Sequence, residues 1–189
     1  MIEKSLQFTS KVLGQFFRNR FSLDEEKIVL NYLVEPNGSL PQVNQNKVVV
    51  SLINIEKETN QPSYVRSKKL ENENYSGFNP IERYTLDILI SSNFDNYSES
   101  LQFLDAVIYF FHVNNSLDPS SFAAFPAGLT KLEFEYEKIS SDQMHHLWTA
   151  MGAKYRPSVI YKMRLTQVQT PEITETIPAL KGINDDLAK

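Results

Sequence analysis

Lys131 to Gln169 reads as a strand, a short helix and a second strand with almost no slack between them, and no other stretch limits the fold so tightly. Leu132, Phe134 and Tyr136 alternate with Glu133, Glu135 and Glu137, the period of a half-buried strand. Ser140 can cap the next element, and Gln143 stands three residues on, as a capping box requires. Met144, Leu147, Trp148 and Met151 follow at the spacing of one helix face. Gly152 is placed to end that helix in the left-handed conformation, which costs it no steric clash. Pro157 prevents further helix and sets the start of the last strand, where Val159, Tyr161, Met163 and Leu165 alternate. Trp148, the one tryptophan, and Tyr155 are expected to pack the core. The pattern leaves open whether the two strands run parallel or antiparallel.

The rest of the chain supplies partners for this unit. Ile2, Leu6, Leu13 and Phe17, widened by Val12 and Phe16, predict an amphipathic helix over 2–18, either packed on a sheet or docking a partner. Residues 27–34 form a short apolar run before the turn signal Pro36-Asn37-Gly38 and read as a strand. The stretch 46–58 is the strongest strand, with Val48, Val50 and Leu52 on one face and Val49, Ile53 and Ile55 on the other. Apolar residues on both faces predict the interior of a covered sheet. Residues 59–80 are a long polar insertion, read equally as an interaction loop or as a hairpin excursion. Residues 81–93 alternate as another strand. A helix capped by Asp95, Asn96 or Ser98 then runs to about Phe111. It is apolar nearly all round, so it is deeply buried or covers a sheet while meeting a second surface. Residues 114–128 read as loop, with Phe122 and Phe125 exposed. The expected fold class is α/β: one mixed β-sheet domain flanked by helices over 1–169, with an extended C-terminal arm over 170–189.

Chemistry is harder to find. Adjacent histidines on a helix point about 100° apart, so His145 and His146 cannot ligate one ion together. His112 belongs near a helix C-terminus, where the dipole favours a cation. Glu133, Glu135 and Glu137 line one strand face, either solvated or complementary to a partner's charge, and catalytic carboxylates need convergent groups from several elements. Phosphate-cradling glycine loops, nucleophile elbows and paired cysteines are not found, and the chain has no cysteine at all. A net charge of −4 argues against a nucleic-acid surface, and no apolar run reaches bilayer-spanning length. The N-terminus lacks the apolar centre of a signal peptide. No enzyme activity, cofactor, metal, nucleic acid or membrane partner is expected. A soluble module that binds a peptide or small ligand through 59–80 is the alternative to a structural role.

Four blocks carry a resemblance: NKVVVSLINIEKE at 46–58, LDILISSNFDNYSESLQFLDAVIYFF at 86–111, LEFEYEKIS at 132–140 and LWTAMGAKYRPSVIYKMRL at 147–165. The last is the most distinctive. Together the chain resembles the tail terminator (cap) proteins of phage-tail-like contractile injection systems, of the antifeeding-prophage and virulence-cassette type. The resemblance implies a structural protein that forms a ring, six-fold by expectation, on the last layer of inner tube and contractile sheath. It implies that the ring ends polymerisation, with copies of itself, sheath protein and inner tube protein as partners. It also implies assembly in the bacterial cytoplasm, as part of a particle that can be released. Some members carry a further C-terminal domain, where this sequence is expected to have only its short arm. A ring needs head-to-tail contacts that close, and an arm that adds a strand to a neighbour supplies main-chain bonds. Gln167, Thr170, Pro171, Ile173, Ile177 and Leu180 are therefore candidate contacts, with Glu133 and Glu135 as a charged contact face.

Overall fold

The computed structural model describes residues 1–35, 37–58, 66–69, 75–78, 83–167 and 176–177. Among these, six strands form one sheet. In chain order they are β1 (Ile28–Leu30), β2 (Lys47–Lys57), β5 (Arg83–Asn93), β6 (Ser116–Leu117), β7 (Leu129–Tyr136) and β8 (Ser158–Gln167). Their spatial order is β1-β2-β5-β8-β7-β6. Only β1 and β2 run parallel, so the sheet is mixed. A second, three-stranded sheet joins β3 (Arg66–Lys69), β4 (Tyr75–Phe78) and β9 (Thr176–Ile177). The helices are α1 (Ile2–Phe21), α2 (Tyr97–Val113) and α3 (Ser141–Ala150).

Strand alternation divides the core in two. Val48 and Val50 of β2, Leu86, Ile88 and Ile90 of β5, and Val159, Tyr161, Met163 and Leu165 of β8 point to one face, where α1 and α2 cover them. Leu6, Leu13, Phe17, Phe103, Val107 and Phe110 come down from those helices. Val49, Leu89 and Ile160 point the other way and are covered by Trp148 of α3. The sheet thus has a helix layer on each face, and apolar residues from β2 reach both.

α1 and α2 lie against each other through rings: Phe17 meets Phe103 edge-on at 5.2 Å, and Phe16 meets Phe110 at 5.3 Å. Arg20 lies 5.1 Å from the Tyr109 ring centroid, a cation–π contact. α1 passes close to β1 at Gly14. A Cβ there would stand 2.8 Å from Ile28 Cγ2, so only glycine fits without displacing a buried, β-branched side chain. α1 runs to Phe21, three residues past its expected end, and stops where Ser22 takes φ 51°.

Several expectations need correction. β1 ends at Leu30 instead of continuing to Val34. Beyond it Asn44, buried in a 3-10 turn, holds the chain away from the sheet by donating to the Tyr32 carbonyl (2.9 Å) while accepting from Asn31 Nδ2 (3.0 Å). β2 is interior only beside β1. Past that point no described strand flanks its outer side, and Leu52 and Ile55 are 37% and 44% exposed. The 114–128 segment contains β6, whose Leu117 is fully buried. Phe122 and Phe125 are half-buried, edge-on to Phe8 of α1 at 5.8 and 5.2 Å. Asp118 folds that loop back: its carboxylate accepts the Ser120 hydroxyl and the Ser121 and Ser120 N–H groups, which together hold it below the usual carboxylate range, the hydroxyl most of all. Tyr155 is 63% exposed, because the chain leaves α3 there; an edge contact with Trp148, at 5.6 Å, ties it to the core.

Candidate interaction surfaces

The opening unit builds the middle of the sheet's second face. β7 and β8 pair antiparallel, with Leu132 opposite Leu165 and Tyr136 opposite Tyr161. α3 bridges them. Ser140 Oγ accepts the Gln143 N–H while Gln143 Oε1 accepts the Ser140 N–H, so both ends of the capping box are closed. The helix stops at Met151, and Gly152 follows at φ 64°, the left-handed conformation that favours glycine. Trp148 is buried and its Nε1–H donates to Met144 Sδ at 3.2 Å. Pro157 directly precedes β8, and its carbonyl accepts the Ser92 N–H at 2.9 Å. Tyr161 is buried against Phe111 and Tyr136, and burial, with Tyr136 beside it, pushes its phenol up to about 12.

α3 covers only part of that face, and a charged ladder occupies the rest. Glu135 Oε2 accepts from Arg164 Nη2 at 2.9 Å, Glu137 pairs with Lys162 at 3.4 Å, and Glu133 pairs with Lys131 at 2.7 Å. Arg164 also reaches Glu58 at 3.9 Å. On β5, Asp87 Oδ2 accepts from Asn54 Nδ2 at 3.1 Å. Glu133 and Glu135 therefore stand together, but each already has a cation on its own sheet. A polar cleft of about 380 Å3 opens where this ladder meets Glu58, Arg83 and Thr166. Glu58 and Arg83 flank residues 59–82 in the sequence, and Thr166 stands one residue before the end of β8 at Gln167.

Gln167 closes β8 opposite Leu129. Ile177 lies in β9, its backbone opposite Tyr75 of β4. Thr170, Pro171, Ile173 and Leu180 lie outside the described residues, as does most of 59–80. The structure thus brings Glu133 and Glu135 onto one charged face and the backbone of Ile177 onto the β3–β4 hairpin. His145 and His146 are both exposed, with ring centroids 6.0 Å apart. Among the described residues no group of three His, Asp or Glu could hold a metal ion, and no helix is long and apolar enough to cross a membrane.

Two apolar surfaces were not assigned from the sequence. One is a cleft of about 540 Å3 at the β1–β2 edge, walled by Leu30, Tyr32, Leu33, Val34, Leu52 and Met151. It forms where the chain leaves β2 after Asn31, whose N–H still donates to the Val50 carbonyl, and the next carbonyl, Tyr32, accepts from Asn44 instead, a contact that no local pattern encodes. The other is the outer side of α2, where Tyr97, Leu101 and Ile108 are 67%, 43% and 42% exposed. The signal for it was the all-round hydrophobicity of that helix.

The architecture can be compared with solved structures. The sheath/tube terminator of PVC, an extracellular contractile injection system, in its extended state, aligns with a TM-score of 0.54 at 14% identity. The alignment covers 96% of this chain and 62% of that one. The anti-feeding prophage cap, a tube terminating cap, aligns with a TM-score of 0.53 at 13% identity, over 93% of this chain and 60% of that one. At these identities the likeness is one of fold: a mixed sheet with flanking helices. The chain spans about three-fifths of the length of these structures. No curated protein sequence matches it. Residues 10–181 match the profile of the Pvc16 N-terminal domain, a span running from the middle of α1 through β9, and the chain therefore belongs to the Pvc16 N-terminal domain family.

Proposed function

We propose that this chain is a structural cap of a contractile injection particle, closing the end of the inner tube and sheath as a ring of identical copies. The observation that carries the reading is the family match over residues 10–181, joined to a fold shared with two tube-terminating proteins. The surface chemistry supports it. The conspicuous features are an ion-paired sheet face and two apolar surfaces, which suit association more than turnover. In this reading six copies close head to tail, the ring blocks further addition of tube and sheath subunits, and the same ring keeps the two attached. The strand β9 and the residues around it, Gln167 to Leu180, contribute a contact at the ring, and Glu133 and Glu135 contribute to register once their own pairs exchange for a partner's cations.

Electron microscopy of particles assembled with this gene deleted tests the reading. Tubes and sheaths of uncontrolled length, or sheaths separated from their tubes, are the expected result. Particles of normal length with intact attachment would overturn it.

A further inference from the structure

α2 and the β1–β2 cleft lie on opposite flanks of the molecule. α1 packs on β1 through Gly14 and Ile28, and its Phe16 and Arg20 meet Tyr109 and Asp105 on one side of α2. Phe111 of α2 meets Phe134 of β7 and Tyr161 of β8. The α2 side that carries Tyr97, Leu101 and Ile108 is therefore turned away from α1, toward the β7 margin. These positions follow one another at helical spacing, so they form one ridge. Tyr136 of β7, 57% exposed, stands on the same margin. The cleft is at the other margin, where β1 stops and β2 continues without a described neighbour.

We propose that the α2 ridge of one copy inserts into the β1–β2 cleft of the next copy, forming the head-to-tail contact of the ring; this rests on the cap reading above. One surface is convex and the other concave, and they lie on opposite margins, as a heterologous contact between identical subunits requires. A single contact covers both exposed apolar surfaces, whereas an unrelated partner at either one would leave the other wet. The areas fit as well. At their exposures of 67%, 43%, 42% and 57%, Tyr97, Leu101, Ile108 and Tyr136 together offer on the order of 400 Å2, a substantial part of the roughly 800 Å2 that one partner gives to a standard interface, leaving the remainder to a polar rim. The cleft, about 540 Å3, is of the size that accepts several large side chains.

The chain's lack of cysteine makes cross-linking free of background. Ile108→Cys and Tyr32→Cys replace exposed side chains, so both variants should melt as the parent does. Each single variant and the double variant are expressed in place of the parent chain, and isolated particles are mildly oxidised and run on a non-reducing gel. The double variant is expected to give a ladder of covalent oligomers beyond the dimer, and each single variant only monomer. Dimers from Ile108→Cys alone would mean that ridge meets ridge, and the proposal fails. Monomer from the double variant, on particles whose ends carry the chain by microscopy, overturns the contact while leaving the cap reading standing. Particle ends without the chain would overturn the cap reading, and the contact with it.

Discussion

Tyr161 shows how one side chain ties packing to pH. Its ring lies between Phe111 and Tyr136 in the larger core, and burial, followed by Tyr136, raises its phenol from about 10 to about 12. In the unfolded chain the phenol ionises near pH 10. Between pH 10 and 12 the unfolded state therefore loses a proton that the folded state keeps. Stability from this group is complete below pH 10 and is lost as pH rises through 12, a fall of roughly 2–3 kcal/mol. Urea unfolding at pH 8 and pH 11.5 measures it. The Tyr161→Phe variant should lose less stability than the parent over that interval, and equal losses would mean that the phenol is solvated in the fold. Gly14 is the counterexample to reading such positions from sequence. Nothing local marks it, since its need for glycine comes from Ile28, fourteen residues away and on another element.

At the scale of elements, α3 is the case where local chemistry decides most. It spans ten residues, too few to persist alone in water, and relies on its cap and on Trp148. Removing the Ser140 hydroxyl leaves the Gln143 N–H without its partner, so Ser140→Ala should cost about 1 kcal/mol in urea, with Ser141→Ala as the near-neutral control. Equal midpoints for the two would show that the capping box contributes nothing. The seven long elements were legible because each carries its own period or cap: the alternation in β7 and β8, the paired Ser140 and Gln143, the ridge of Leu6, Leu13 and Phe17. The short ones were not. β6 is two residues long and exists through its pairing with β7, and the early end of β1 depends on Asn44. Side-chain pairs fixed by tertiary register, such as Arg164 with Glu135, were equally invisible, although the acidic face itself was plain. Both apolar surfaces fall in the same class: the ridge was foreshadowed by α2's composition, while the cleft is made by a strand that stops early.

For the whole molecule, the two helix layers are unequal. The core beneath α1 and α2 draws on both helices and on strands from β1 to β8, with ring contacts running from Phe21 through Phe103 to Phe94. Among the described residues, the core beneath α3 encloses Leu33, Val49, Leu89, Trp148 and Ile160, with Met144, Leu147 and Met151 at its rim. Opening α3 exposes little more than Trp148 and its neighbours, whereas lifting α2 exposes the centre of the sheet. Local opening free energies follow buried apolar contact, so α3 should open without global unfolding. Its amides are expected to exchange roughly 10–100-fold faster than those of α2 near neutral pH, read by hydrogen exchange and mass spectrometry on the full chain. Equal protection of the two helices would show that the sheet and both layers unfold as one unit. The difference has a functional side, because Met151 at the end of α3 is also a wall of the β1–β2 cleft. The layer that opens most readily is thus the one that shapes the cleft, while the α2 ridge stands on the layer that opens least.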